Sequence, residues 1–272
     1  MNTGELASIA RDAALAGGAL AAQRRAEGVE VAASKSSPED VVTRADRETE
    51  SLIRSMLADA RPHDGFLGEE STGTAGTSGL TWVVDPIDGT VNYLYGRPHY
   101  GVSVAVVEGE PDPATWTTIA GAVLNPGNGD LFTAAKGSGA FLRDRQLRVK
   151  DAELSLALVA TGFGYLAETR RIQALIVAGL ISRIRDIRRA GVSSLDLCDV
   201  ACGRVDAYFE RGLNPWDHAA GALIATEAGA SVIGFRGAPA GADFLLAAAP
   251  ALAENLERAL APLLNEYYEW HE

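Results

Sequence analysis

Leu80-Thr81-Trp82-Val83-Val84-Asp85-Pro86-Ile87-Asp88-Gly89-Thr90 is the stretch from which the rest of this chain can be read. Leu80 to Val84 is a short run of strand-forming side chains that ends abruptly in two carboxylates three residues apart. Such a run reads as a buried strand delivering acid groups to a site. Pro86 biases Asp85 toward extended backbone. Gly89, without a Cβ, lets the chain turn and come close to a ligand. Thr90 then offers a hydroxyl where a helix can begin. Hard carboxylate oxygens would stand beside exposed amide N–H groups, and such a site can hold magnesium and phosphate together.

Outward from this stretch, the chain has 272 residues, 47% apolar and 22% charged, which suits an ordinary globular core. We read 1–272 as one domain, with 1–150 a metal-binding half and 151–272 a half that completes the site. A net charge of −12 argues against nucleic acid or an anionic membrane as the main partner. It also leaves an anionic substrate in need of bound cations, which divalent metals would supply by reversing the local field. The two cysteines, Cys198 and Cys202, stand four apart in a predicted helix, with neither C-x-x-C nor paired histidines. They read as packing residues rather than a zinc or redox pair, in keeping with a reducing compartment. The first residues carry no signal-like core, and no apolar run approaches the roughly 20 residues of a membrane span. A cytoplasmic location is the expectation.

The pattern predicts helices over Leu6–Arg25 and over about Val41–Ala60, the latter stopped by Arg61-Pro62. Ser71 to Gly79 (STGTAGTSG) reads as a surface loop beside Glu69. From Leu80 to Leu142 short strands follow one another, with a hairpin loop at Pro111-Asp112-Pro113. Beyond Asp151 strands and helices alternate, ending in a helix from Pro250. Strand-rich middle and alternating second half together suggest stacked layers.

Further acidic stations lie at Phe66-Leu67-Gly68-Glu69-Glu70-Ser71 and at Asn214-Pro215-Trp216-Asp217-His218-Ala219-Ala220-Gly221. With Lys35-Ser36-Ser37-Pro38-Glu39-Asp40-Val41-Val42-Thr43, Asp46, Arg188-Arg189-Ala190-Gly191-Val192-Ser193-Ser194-Leu195-Asp196-Leu197-Cys198 and Asp206-Ala207-Tyr208-Phe209-Glu210, the chain resembles the inositol monophosphatase family of magnesium-dependent phosphatases. The likeness runs from about Lys35 to about Gly229. It implies an α/β fold in an α-β-α-β-α sandwich, two or three Mg2+ ions, sensitivity to lithium, a homodimer and a small phosphorylated polyol as substrate. Taken over position by position, Glu69, Asp85 and the Ile87 carbonyl would hold one metal. Asp85, Asp88 and Asp217 would hold another. Asp46, Thr90 and Glu69 would serve catalysis, with Thr90 hydrogen-bonded to Asp46 to orient the attacking water. Asp88, the Gly89 and Thr90 amides, Gly191, Val192, Ser193 and Glu210 would contact substrate, and Lys35 would balance charge nearby.

Phosphate monoester hydrolysis calls for an activated water, neutralised phosphate oxygens and a stabilised leaving oxygen, all of which two metals roughly 3.5–4 Å apart can provide. Taken singly, Asp217 would be an N-cap acid, Asp46 and Lys35 surface charges, and Glu210 a strand-end acid. His218, in place of a small or apolar residue after the acid, is expected to pack beneath the site or at an interface rather than react. Two alternatives stay open. One is a related phosphatase for fructose 1,6-bisphosphate, histidinol phosphate or adenosine 3′,5′-bisphosphate. The other is a phosphatase-like protein that serves mainly as a binding partner, for example in a transcription complex.

Overall fold

The run from Leu80 enters the larger of two main sheets in the computed structural model, which describes residues 2–29, 31–34 and 41–268. Lys35 lies outside the described residues. In chain order the elements are α1 (Thr3–Glu27), β1 (Val31–Ser34), β2 (Val41–Thr43), α2 (Arg44–Ala60), β3 (Gly65–Gly68), β4 (Leu80–Asp88), α3 (Thr90–Leu94), β5 (Gly101–Glu108) and β6 (Thr117–Asn125). There follow β7 (Asp130–Ala135), β8 (Ala140–Leu142), β9 (Arg145–Gln146), β10 (Leu158–Thr161), α4 (Ala167–Leu180), β11 (Asp186–Arg188) and α5 (Ser193–Cys202). The last elements are β12 (Ala207–Glu210), α6 (Pro215–Glu227), β13 (Ser231–Ile233), β14 (Leu245–Ala248) and α7 (Pro250–Tyr267).

Strands β3 to β9 form a seven-stranded sheet in sequence order, antiparallel except where the edge strand β3 runs parallel to β4. A five-stranded mixed sheet takes the order β11-β10-β12-β14-β13, and β1 pairs with β2 alone. Helices α1 and α2 cover one face of the large sheet, burying Leu6, Ile53 and Leu57 against Trp82, Val84 and Val104. Helices α5 and α6 fill the space between the sheets. Leu195, Cys198 and Ile224 meet Val83 and Val123 on one side, while Leu197 and Val200 meet Tyr208 and Leu245 on the other. Helices α4 and α7 close the far face of the small sheet around Phe209, Leu246 and Leu256. The order of layers is α-β-α-β-α, as the resemblance implied.

With helices on both faces, the inner strands read as continuous apolar runs rather than alternating ones. Trp82 is 1% exposed, and its truncation to alanine would cost about 3–5 kcal/mol. The two glycines that interrupt α1 have a packing reason. A Cβ on Gly17 would lie 2.7 Å from Ile53 Cδ1, and one on Gly18 would lie 2.3 Å from Leu124 Cδ2. Cys198 and Cys202 are free thiols. Among the described residues no helix is long and apolar enough to cross a membrane.

Helix α1 outruns its expected bounds, Leu6–Arg25, at both ends, and two boundaries nearer the site also differ. The helix foreseen over Val41–Ala60 begins at Arg44, because residues 41–43 pair with β1 and Thr43 becomes the N-cap. The strand expected to stop before Asp85 runs on through Asp88. Its pairing with β5 breaks register between Asp85 and Asp88, a bulge that turns side chains away from simple alternation.

Candidate active site

Bulged β4, the end of β3 and the first turn of α6 bring Glu69, Asp85, Asp88 and Asp217 to the wall of one cavity of about 480 Å³. The three aspartates each have a local reason for their position. Asp85 Oδ1 accepts from Ile87 N at 3.1 Å, which folds the chain back over Pro86. Asp88 Oδ2 accepts from Ser194 N at 2.7 Å, across the sheet–helix boundary. Asp217 Oδ2 accepts from Asn214 N at 2.7 Å in a capping box, with Pro215 in the first turn of α6. Asp217 is thus a helix-capping acid and a cavity-lining carboxylate at once.

Crowding of like charge out of water dominates the electrostatics. Burial, followed by Glu69, Asp88 and Asp217, pushes the Asp85 carboxyl well above its ordinary range. Burial also raises Asp88, to about 6, against the hydrogen bonds from Ser194. Burial and then Asp88 raise Asp217 strongly. Among the described residues no lysine or arginine forms an ion pair with Asp85, Asp88 or Asp217. Hard oxygens gathered in this way make a donor set that fits magnesium, which prefers carboxylates, carbonyls and water.

Thr90 Oγ1 lies 3.2 Å from both Asp46 Oδ1 and the Ile87 carbonyl, so its hydroxyl can donate to either. Asp46 is 0% exposed and is the acid of the capping box that starts α2. Its Oδ2 accepts from Thr43 N at 2.8 Å and from the Thr43 hydroxyl, leaving Oδ1 for Thr90. Burial lifts the Asp46 carboxyl to about 7, against the lowering effect of Thr43. Gly89, at φ +87°, turns the chain into α3 in a conformation that favours glycine. A Cβ there would also lie 2.7 Å from Val192 Cγ2.

Gly191, Ser193 and Glu210 line the same cavity. The Ser193 hydroxyl lies 3.1 Å from the Asp217 carbonyl and 3.4 Å from Asp88 Oδ2. Val192 departs from the expected pattern: its side chain is 0% exposed in the core beneath Gly89, off the cavity wall. A substrate contact there would fall to the backbone. Glu210 Oε2 accepts from the Tyr208 hydroxyl at 2.6 Å, and burial raises its carboxyl to about 7. His218 is 3% exposed, tilted against Trp116 and away from this cavity, as expected of a packing residue.

Three contributors escaped the reading of the sequence. Gly162 is required by Glu210, whose Oε2 would lie 1.9 Å from a Cβ at that position. Ser194 supplies the amide that fixes Asp88. Glu50 is buried and accepts from Glu70 N at 2.8 Å, which holds the Glu69 station from behind. Only Glu50 left a trace in sequence, four residues after Asp46 on the same helix face.

The geometry agrees with what comparison finds. The family model described as "Inositol monophosphatase family" matches residues 2–271. Inositol-1-monophosphatase SuhB of Mycobacterium tuberculosis is 44% identical over 94% of this chain and 93% of its own length. Nus factor SuhB of Xylella fastidiosa is also 44% identical, over 74% of this chain and 71% of its own. The crystal structure of the extragenic suppressor protein suhB from Bartonella henselae superposes with a TM-score of 0.85 at 36% identity, covering 94% of this chain and 98% of that one. With its acids gathered on one cavity and its layers in this order, the chain belongs to the inositol monophosphatase family, a family of metal-dependent phosphatases.

Proposed function

We propose that this phosphatase hydrolyses a myo-inositol monophosphate to inositol and phosphate with magnesium as its cofactor. The observation that carries the reading is the meeting of Glu69, Asp85, Asp88 and Asp217 beside Gly89 and Thr90 on one cavity. Glu69, Asp85 and the Ile87 carbonyl would hold one ion, and Asp85, Asp88 and Asp217 another. Bound there, magnesium would acidify water and neutralise phosphate oxygens.

The chain's own groups do the rest. The Thr90 hydroxyl, donating to Asp46 Oδ1, presents its free lone pair to a water proton and so aims the water. A carboxyl near 7 lets Asp46 hold or accept a proton at neutral pH. The amides of Gly89 and Thr90, at the start of α3 where no intrahelical acceptor exists, bind phosphate oxygens. Glu210 and Ser193 take the polyol hydroxyls.

Cytoplasmic location and a homodimer belong to the same reading. Free thiols at Cys198 and Cys202 support the first. Exposed Val91, Tyr95 and Leu166 beside the cavity mouth support the second. The similarity to a chain named Nus factor favours a second reading, in which the fold also docks a macromolecular partner.

A substrate panel tests the proposal. Inositol 1-phosphate, fructose 1,6-bisphosphate, histidinol phosphate and adenosine 3′,5′-bisphosphate are compared with magnesium and with EDTA, and the same samples are weighed by light scattering. Inositol 1-phosphate should lead in kcat/KM, with no turnover in EDTA. A different leading substrate removes the inositol assignment, full activity in EDTA removes the metal chemistry, and a single-chain mass removes the dimer.

A further inference from the structure

Behind the first turn of α5, away from the phosphate cavity, three other potential ligands converge. His99 comes from the segment leading into β5, and Asp196 and Asp199 come from one face of α5. One ligand atom from each lies within 4.8 Å of the others. Asp196 is 2% exposed, and its Oδ2 is buried without a hydrogen-bond partner among the described residues. The Nε2 of His99 is likewise buried and unpartnered.

A buried carboxylate oxygen without a partner is expensive unless something neutralises it. Among the described residues no guanidinium is hydrogen-bonded to Asp196: Arg189, whose charge reaches it, donates from Nη2 to the Phe163 carbonyl. Arg204 donates from Nη1 to Asp199 Oδ1 at 3.2 Å and from Nη2 to Asp130 Oδ2 at 2.7 Å, leaving Asp196 untouched. Burial holds the Asp196 and Asp199 carboxyls above their ordinary range, so without an ion a proton must neutralise them, and a metal would take that proton's place. We infer that His99, Asp196 and Asp199 form a second metal site, of the zinc type, outside the phosphate cavity.

The donor set decides the class of ion. One imidazole with two carboxylates suits zinc, whereas magnesium and calcium favour all-oxygen surroundings such as those at Asp85. Burial depresses the basicity of His99, which keeps its imidazole in the neutral form that binds metal. His99 and Asp199 are half-buried, so water can complete the coordination.

The site joins parts of the protein that matter to the cavity. Asn92 Nδ2 donates to the carbonyls of His99 and Ala190, both at 2.9 Å, linking the segment after Thr90 to the turn at Gly191. Three residues before Asp196, α5 begins with Ser193 and Ser194, which contact Asp88. An ion held by His99, Asp196 and Asp199 would fasten these two cavity walls together from behind.

Cobalt(II) is the probe that separates the two kinds of site. Chelated protein is saturated with magnesium and then titrated with Co2+, since a nitrogen-containing site of low coordination number absorbs far more strongly in the visible than an octahedral oxygen site. One equivalent should give an intense band that Asp217→Asn retains, with apparent affinity reduced tenfold or more in both His99→Gln and Asp196→Asn. A band unchanged in both of those variants, or lost in Asp217→Asn, overturns the assignment. A wild-type measurement covers the case of variants that do not fold. In the 15N spectrum of the imidazoles, one equivalent of Zn2+ added over saturating magnesium should displace the His99 signal, and an unmoved signal overturns the site.

Discussion

Asp85 and Asp88 ride on one strand of the seven-stranded sheet and enter the cavity within three residues of each other, held by hydrogen bonds from Ile87 N and Ser194 N. Glu210 lines the same cavity from the end of β12 in the five-stranded sheet, oriented by Tyr208 and admitted only because Gly162 has no side chain. The first end is acid upon acid, where each carboxylate raises its neighbours and calls for cations. The second is one carboxyl in a shaped pocket. On the proposed function, reaction type would reside in the first and substrate choice in the second, so damage to the two ends should produce different kinds of loss.

The largest loss is expected from Asp85→Asn. Asp85 is the carboxylate shared by both proposed ions, and several kcal/mol of charge stabilisation correspond to about a thousandfold in rate. Phosphate release should fall to that extent on every substrate, with circular dichroism unchanged. Retention of more than about a tenth of wild-type activity would contradict the role given to the acid end.

Next comes Thr90→Ala. If the hydroxyl aims the water, kcat should drop about a hundredfold while KM barely moves. An effect confined to KM would make Thr90 a phosphate-binding group instead.

Glu210→Gln sharpens the contrast from the other side. Unpaired polyol hydroxyls and a disturbed Tyr208 contact should lower kcat/KM for inositol 1-phosphate about tenfold, since an unsatisfied buried polar group costs about 1–3 kcal/mol. Hydrolysis of a generic aryl phosphate should be spared. Equal losses on both substrates would erase the division between the two ends.

The smallest effect is one of stability with pH. Asp46 and Glu210 hold their protons to about 7 in the folded chain, from ordinary values of 3.8 and 4.5. Between those limits the folded protein binds more protons than the unfolded one. Raising the pH from about 4 to about 7 should therefore destabilise the metal-free protein. Calorimetry in EDTA should show Tm falling by several degrees over that range, at roughly 2–4 °C per kcal/mol. Saturating magnesium should reverse the slope, because ions bind the deprotonated acids. A Tm that rises with pH in EDTA would show that burial does not hold these carboxyls neutral.

Much of this was legible in the sequence, and the legible parts share a cause. Helix α7 begins at Pro250 and helix α2 ends at Ala60, both where the residues alone place them. Periodicity and capping are local properties, set by residues a few positions apart. The acid stations were legible too, because Pro86, Gly89 and Pro215 mark their turns within the same few residues. Less legible were the edges of these motifs. The start of α2 was misplaced because Thr43 and Asp46 cap the helix only once β1 takes up residues 41–43.

What the sequence by itself determined is the class of elements, the hard-oxygen chemistry and the kinship. The tertiary structure alone decided that Val192 turns into the core beneath Gly89, and that Gly162 makes room for Glu210 because Thr161 and Phe209 pair in register on adjacent parallel strands. It alone brought His99 against Asp196 and Asp199 from separate segments. Those meetings depend on strand register and on sub-ångström fit between layers. Spacing along the chain carries no record of either.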